Sequence, residues 1–278
     1  MALVYIINGK IVLPDSVVCG KALAFDADSG KIHGVVDAAP VGAEVIDADG
    51  NYVAPGLVDI HIHGYLGRDV CDADEDSMKI ISKNLLANGV TGYLPTTMTV
   101  DMKIIRKSLE LCRSLMNESR SWDGSAILGV HAEGPFISEG KKGAQDAKYI
   151  LKPDAAFVKE YADIIKTITL APETDENNFA AIREICRDTD VVVSMGHTSA
   201  DYNTAMESVN AGVKHVTHLF NAMTPLTHRG PGVVGAALNC DEVSCELIVD
   251  TFHVSTALYD MVFKLKGRKE VIDVVLKL

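Results

Sequence analysis

The chain has 278 residues, of which 47% are hydrophobic and 23% charged, enough apolar material for one large α/β domain with an appendage. That composition excludes a disordered, fibrous or disulfide-stapled chain. Lys and Arg number 26 against 38 Asp and Glu, a formal net charge of -12 with no basic cluster, so neither nucleic acid nor an anionic membrane is an expected partner.

The N-terminal run MALVYIINGKIVL has no basic leader, and its apolar residues are interrupted by Asn8, Lys10 and, further on, Asp15, so neither a signal peptide nor an anchor is expected. No apolar run in the chain approaches the roughly 20 residues that cross a bilayer. Residues 1–51 read as short β-runs (LVYIINGKIVL, KALAFD, KIHGVV, AEVIDA) punctuated by Asn8-Gly9, Asp28-Ser29-Gly30 and Asp49-Gly50. This is the pattern of a small antiparallel sheet.

From residue 52 to 278 the text changes, and apolar runs of strand length alternate with amphipathic stretches of helical length. The runs are VAPGLVDIHIHG, VTGYLPTT, AILGVHAEGP, ITLAPE, VVVSMGH, VKHVTHLFNAM, ELIVDTFHV and EVIDVVLKL. Between most of them lie helical patterns such as DSMKIISKNLLANG, DMKIIRKSLELCRSLMNE, DENNFAAIREICRD, SADYNTAMESVNAG and STALYDMVFKLKG. Regular alternation of this kind implies parallel strands joined by right-handed crossovers, and eight such units form a TIM-like (β/α)8 barrel, with a doubly wound open sheet as the competitor. The polar residues decide between the two: His61, His63, Glu133, His197, His218 and His253 all fall at C-terminal ends of predicted strands, which only a barrel gathers at one mouth.

His61 and His63 are two apart on a strand, so both imidazoles face one side and can meet one ion. Alone, such a pair is as readily a polar strand face. Joined by Glu133, His197 and His218, it becomes a set of imidazole and carboxylate donors suited to one or two divalent metal ions with an open position for water. A metal lowers the pKa of bound water and polarises a carbonyl, which points to amide hydrolysis. His131 reads as a packed, hydrogen-bonded imidazole, and His215 and His33 as structural or solvated. After His218 comes LFNAMTPLTHRGPG, where Asn221, Arg229 and the glycines are of the kind that hold a phosphate or carboxylate. The six cysteines are dispersed, with no C-x-x-C pair, as in a reduced, cytoplasmic protein.

APGLVDIHIHG, GVTGYLPTT, GVHAEGPFIS with the GAQD that follows, LAPE, VSMGHTSADY, VTHLFNAM and IVDTFHVS together resemble the N-acetylglucosamine-6-phosphate deacetylase family of the amidohydrolase superfamily, in order across nearly the whole chain. The H-x-H alone is shared by many amidohydrolases, whereas HAEGPF with GHT and HLFNAM is far more specific. The resemblance implies release of acetate from N-acetylglucosamine 6-phosphate, a phosphorylated amino sugar, in a homodimer holding zinc or iron. It implies that Glu133, His197 and His218 hold the metal, and that His61 and His63 hold a second one found in some members. It further implies that Ala144, Asn221 and Ala222 contact the sugar, and Arg229 and His253 the phosphate.

Two departures stand out. Asp250-Thr251-Phe252-His253 stands where the family has D-G-x-H, so Thr replaces a residue free in backbone conformation. The V-T-D-A strand whose aspartate moves the proton in that family has no match in residues 266–278, and Asp273, early in the last strand, is an unlikely substitute; no catalytic acid or base is assigned. The sequence therefore reads as a C-terminally shortened deacetylase whose N-terminal sheet is a β-sandwich portion without its C-terminal half. The competing readings are a fragment that binds metal and sugar phosphate without turnover, and a dihydroorotase-like cyclic amidase. The latter is disfavoured because LAPE ends strand 4 with no lysine to bridge two metals.

Overall fold

Short apolar runs separated by turn residues become strands throughout the first 56 residues. The computed structural model describes residues 3–267 and 271–274. It divides into two compact units, Met1–Gly56 and Leu57–Leu278. The first holds β1 (Leu3–Ile7), β2 (Lys10–Leu13), β3 (Ser16–Val18), β4 (Ala22–Asp26), β5 (Ile32–Val36), β6 (Glu44–Asp47) and β7 (Tyr52–Val53). The run LVYIINGKIVL is broken into β1 and β2 by Asn8, whose φ of 55° reverses the chain.

These strands form two sheets, in the orders β5-β4-β1-β6 and β3-β2-β7. The antiparallel expectation holds for β1/β4, β4/β5 and β2/β3. It fails for β1/β6 and β2/β7, which are parallel. The reason is connection length: a tight turn permits only a hairpin, whereas strands that meet after a long excursion can pair in either sense. Tyr5, Ala22 and Ala24 are the buried apolar centre of this unit.

The second unit opens with β8 (Leu57–Ile62), a small hairpin of β9 (Gly64–Tyr65) and β10 (Arg68–Asp69), α1 (Glu75–Leu86), β11 (Val90–Thr97) and α2 (Met102–Glu118). It continues with β12 (Ala126–Ile127), β13 (Val130–Glu133), α3 (Ala155–Glu160), β14 (Ile165–Leu170), α4 (Glu176–Asp188), β15 (Val192–Met195) and α5 (Tyr202–Ala211). It ends with β16 (His215–Val216), α6 (Gly232–Asn239), β17 (Ser244–Ile248), α7 (Tyr259–Lys266) and β18 (Val271–Val274).

The sheet runs β8-β11-β13-β14-β15-β16-β17-β18, each neighbour parallel to the next, and β12 adds to the edge of β11. β18 lies beside β8, so the eight strands follow chain order around a TIM-like barrel. Capping aspartates start the helices soon after strand ends: Asp74 accepts from Ser77 N, Asp101 from Lys103 N and Asp201 from Thr204 N. Two helices escape the sequence pattern for physical reasons. α3 spans six residues, too few to display a period, and α6 is buried from Gly232 to Leu238, so no polar face marks it.

On α2 the buried residues Ile105, Ser108, Leu109, Cys112 and Leu115 recur at helical spacing and turn one face to the barrel core. Leu109 is fully buried. Leu109→Ala removes apolar contacts and leaves a cavity, and should lower the unfolding free energy by about 2–5 kcal/mol in denaturant titration. An unchanged midpoint would contradict the packing described.

Candidate metal centre

Glu133 ends β13 and is 2% exposed, yet it is a carboxylate. Four imidazoles surround it. Its Oε1 lies 3.1 Å from His197 Nε2, 3.1 Å from His218 Nε2 and 3.5 Å from His61 Nε2. Its Oε2 lies 3.1 Å from His63 Nε2 and accepts a hydrogen bond from Gln145 Nε2 at 3.1 Å. The Nε2 atoms of His197 and His218 stand 3.1 Å apart, those of His61 and His63 3.3 Å. Glu133 is thus common to two clusters, one with His197 and His218 and one with His61 and His63.

The chain aims these rings by holding their far nitrogens. His197 Nδ1 donates to the Lys141 carbonyl at 2.8 Å, His63 Nδ1 to the Thr96 carbonyl at 3.2 Å, and His61 Nδ1 to Glu246 Oε2 at 2.7 Å. A proton on each Nδ1 leaves Nε2 free as a donor toward the cluster. His218 differs: its Nδ1 is buried without a partner, and the residue is fixed through its backbone N–H, which donates to Glu246 Oε2 at 3.2 Å.

His197 and His218 both adopt left-handed backbone, with φ of 46° and 36°. Such conformations cost of order 1–3 kcal/mol each and persist only where the surroundings enforce them. Close packing does so here. A Cβ on Gly196, just before His197, would come within 2.8 Å of Thr169 Cγ2 and 2.9 Å of Thr217 Cβ, and one on Gly134, after Glu133, within 2.2 Å of Thr99 Oγ1.

Burial alone would neutralise every charge in the cluster, but mutual pairing outweighs it. Burial raises the Glu133 carboxyl, yet the attraction of His61 and His197 and the hydrogen bonds of His197 and His218 hold it well below the usual range. Burial lowers His61, but Glu246 and Glu133 overcome that and push it up to about 9. His218 stays lowered, because burial there exceeds what Glu133 returns.

The donor set fits a divalent cation. Two donors each ~2.0–2.1 Å from a tetrahedral ion stand roughly 3.3 Å apart, close to the 3.1 Å between His197 Nε2 and His218 Nε2. With Nδ1 protonated, the Nε2 lone pairs of His197, His63 and His61 face the Glu133 oxygens with no proton between them, and cations shared by these atoms would satisfy both. The chain therefore presents a divalent-metal site built from His and Glu.

Beneath it the barrel interior is polar and fully connected. His131 Nδ1 lies 3.1 Å from the Ile60 carbonyl and its Nε2 2.7 Å from Thr169 Oγ1, which meets Thr217 Oγ1 at 2.7 Å, which in turn meets Ser194 Oγ at 2.6 Å. Burial pushes His131 down to about 3, so it is neutral, as expected of a packed imidazole. His215 is buried and structural, between Ser244 Oγ and Glu246 Oε1, and His33 is exposed. Glu246 and Gln145 were not singled out by the sequence reading. The signal for Glu246 was there: an acidic residue inside the apolar run SCELIV must be paired.

The residues expected to touch substrate are placed less tightly. Ala144 is exposed, between Gln145 and Gly143, and a Cβ on the latter would lie 3.6 Å from His197 Cε1. Asn221 is half-buried, its amide donating to the His218 and Leu219 carbonyls at 3.4 and 3.3 Å, and Ala222 is half-buried with φ of 50°. Arg229 is exposed. His253 is exposed and paired through Nδ1 with Asp250 Oδ2 at 2.6 Å. Asp273 is level with Leu247 in the β17/β18 ladder, and its side chain lies outside the described residues. Strand β14 leads into Glu173, whose carboxylate accepts from Thr198 Oγ1 and Ser199 N at 2.5 Å each, bracing the loop after His197.

The amidohydrolase family model matches residues 52–275. Curated relatives include the N-acetylglucosamine-6-phosphate deacetylases of Lysinibacillus sphaericus, 37% identical over 83% of this chain and 60% of that one, and of Bacillus subtilis, 38% identical over 84% and 60%. The chain thus spans about 60% of the length of these relatives. Among solved structures, N-acetylglucosamine-6-phosphate deacetylase from Pasteurella multocida is similar with a TM-score of 0.88 at 31% identity, covering 98% of this chain and 71% of that one. The one from Thermotoga maritima gives 0.82 at 32%, covering 98% and 70%.

Thr251, next to the Asp250–His253 pair, sits at φ 68° with a β-branched side chain that disfavours this region. Thr251→Gly should relieve that strain by more than the added flexibility of the unfolded chain, raising stability by about 1 kcal/mol. The check is a higher denaturant midpoint at unchanged slope; a lower midpoint would rule the strain out.

Proposed function

Since the chain belongs to the amidohydrolase family, we propose that it removes the acetyl group from N-acetylglucosamine 6-phosphate, giving glucosamine 6-phosphate and acetate. The observation that supports this most is the sharing of Glu133 between two clusters of imidazole nitrogens, with every ligand-type atom 3.1–3.5 Å from a Glu133 oxygen. In this reading Glu133, His197 and His218 hold one ion, of zinc or iron, and His61 and His63 share Glu133 with a second. A bound divalent ion supplies Lewis acidity, lowering the pKa of water and polarising the amide carbonyl.

The chain's own residues do the rest. Gln145, its Oε1 anchored by Thr99 N at 2.6 Å, keeps Glu133 Oε2 turned toward His63. Ala144, Asn221 and Ala222 border the sugar, and Arg229 and His253 meet the phosphate, where a guanidinium and a carboxylate-paired imidazole offer charge-assisted hydrogen bonds. The Lys141 carbonyl accepts from His197 Nδ1 and keeps its Nε2 turned toward Glu133. No residue is assigned to proton transfer, because residues 266–278 carry no V-T-D-A motif. The chain would act as a homodimer in the cytoplasm, a location in keeping with six free cysteines.

The test is a paired measurement on the purified chain: metal content by mass spectrometry, and acetate release from N-acetylglucosamine 6-phosphate with added divalent metal. Metal bound and acetate released is the expected result. Glu133→Gln should strip the metal and lower acetate release by at least 10²-fold, with the circular dichroism spectrum preserved. Metal bound with no acetate released by the parent chain would instead identify a sugar-phosphate binder that lacks general acid–base transfer, a term worth roughly 10²–10⁴-fold.

A further inference from the structure

Glu246 lies in β17 and is fully buried, although nothing in the chemistry just described uses it. Its two oxygens are committed to different partners. Oε2 faces His61 Nδ1 at 2.7 Å and also accepts the backbone N–H of His218 at 3.2 Å. Oε1 faces His215 Nε2 at 3.2 Å, and His215 is held in turn by Ser244 Oγ at 2.7 Å. One carboxylate oxygen therefore touches a residue from each of the two clusters that share Glu133, and the other oxygen is tethered so that the group cannot swing away.

We propose that Glu246 is a positioning residue that makes the His61–His63 side of the site competent to hold the second ion. By accepting the hydrogen bond from His61 Nδ1–H it fixes the ring so that Nε2 points at Glu133, and by accepting from the His218 backbone N–H it fixes the spacing between the two clusters. His63 has only a carbonyl for the same purpose, so His61 is the better-held arm. The inference rests on the metal-site reading above. Glu246 touches neither substrate nor ion; it acts through His61 and His218. Removing such a partner of a ligating imidazole typically weakens metal binding by 10–100-fold.

The experiment starts from the metal-free full chain, titrated with Zn²⁺ by calorimetry, with stoichiometry read by mass spectrometry and Co²⁺ substitution followed in the visible spectrum. The parent chain should take two ions. Glu246→Gln, which keeps shape but not charge, and Glu246→Asp, which keeps charge on a shorter arm, are compared with it. The expected result is a folded Glu246→Gln protein that binds the first ion as the parent does and the second 10–100-fold more weakly, with partial recovery in Glu246→Asp. Both ions bound with parental affinity in Glu246→Gln would overturn the proposal, as would loss of fold in both variants. A parent chain that binds one ion overturns it while leaving the Glu133–His197–His218 centre standing; a parent that binds none overturns both.

Discussion

A carboxylate taken out of water into the centre of a protein costs several kcal/mol unless its charge is compensated there. Glu133 is such a group, and the barrel mouth is arranged around that cost. His61, His63, His197 and His218 come from strands β8, β15 and β16 or the residues that follow them, and converge on two oxygen atoms. Four neutral imidazoles would leave the charge unpaired, and four imidazolium ions would repel one another. A divalent cation held there would resolve the conflict, because it would compensate the carboxylate while requiring the imidazoles to be neutral. Glu246, lying deeper and equally buried, poses the same problem and solves it differently, with His61 and His215 on its two oxygens.

The eight parallel strands were legible because strand-length runs recur from Leu57 onward with helical patterns between most of them, and a parallel sheet in chain order follows from right-handed crossovers. His61 and His63 were legible because two-residue spacing on a strand fixes a common side, and their rings turn together so that the Nε2 atoms stand 3.3 Å apart. Glu133, His197 and His218 were legible as strand-end residues, since every C-terminal strand end meets at one mouth. What escaped were side chains whose role depends on three-dimensional neighbours. Gln145 lies in a loop after β13, and only the bond from Thr99 N to its Oε1 aims its amide at Glu133. Glu246 and His61 are 185 positions apart, a pairing no local pattern carries. In the first unit, the sense of β6 and β7 escaped because parallel pairing after a long loop leaves no turn signature.

The positions proposed to contact substrate were the least legible, and the reason is physical. A buried ligand cage is over-determined: tautomer, ring direction and backbone strain all follow from packing around it. Ala144, Arg229 and His253 are exposed, so their positions are set by loop geometry rather than by a core. The resemblance to a family suggests their roles, and among the described residues it is the Asp250–His253 hydrogen bond that orients a group there.

The polar interior also ties the metal site to the stability of the barrel. The chain Ser194–Thr217–Thr169–His131 ends on the Ile60 carbonyl, one residue before His61, and the Glu246 bonds join β17 to β8 and to His218, two residues after β16. Strands far apart in sequence are thus joined by hydrogen bonds in a medium where each is strong and each loss is costly. Because the ligand-type atoms come together only when these strands do, an ion bound there would contribute its binding free energy to folding of this unit. The left-handed backbone at His197 and His218 is enforced by the close packing around it, and an ion held by their Nε2 atoms would offset part of its cost.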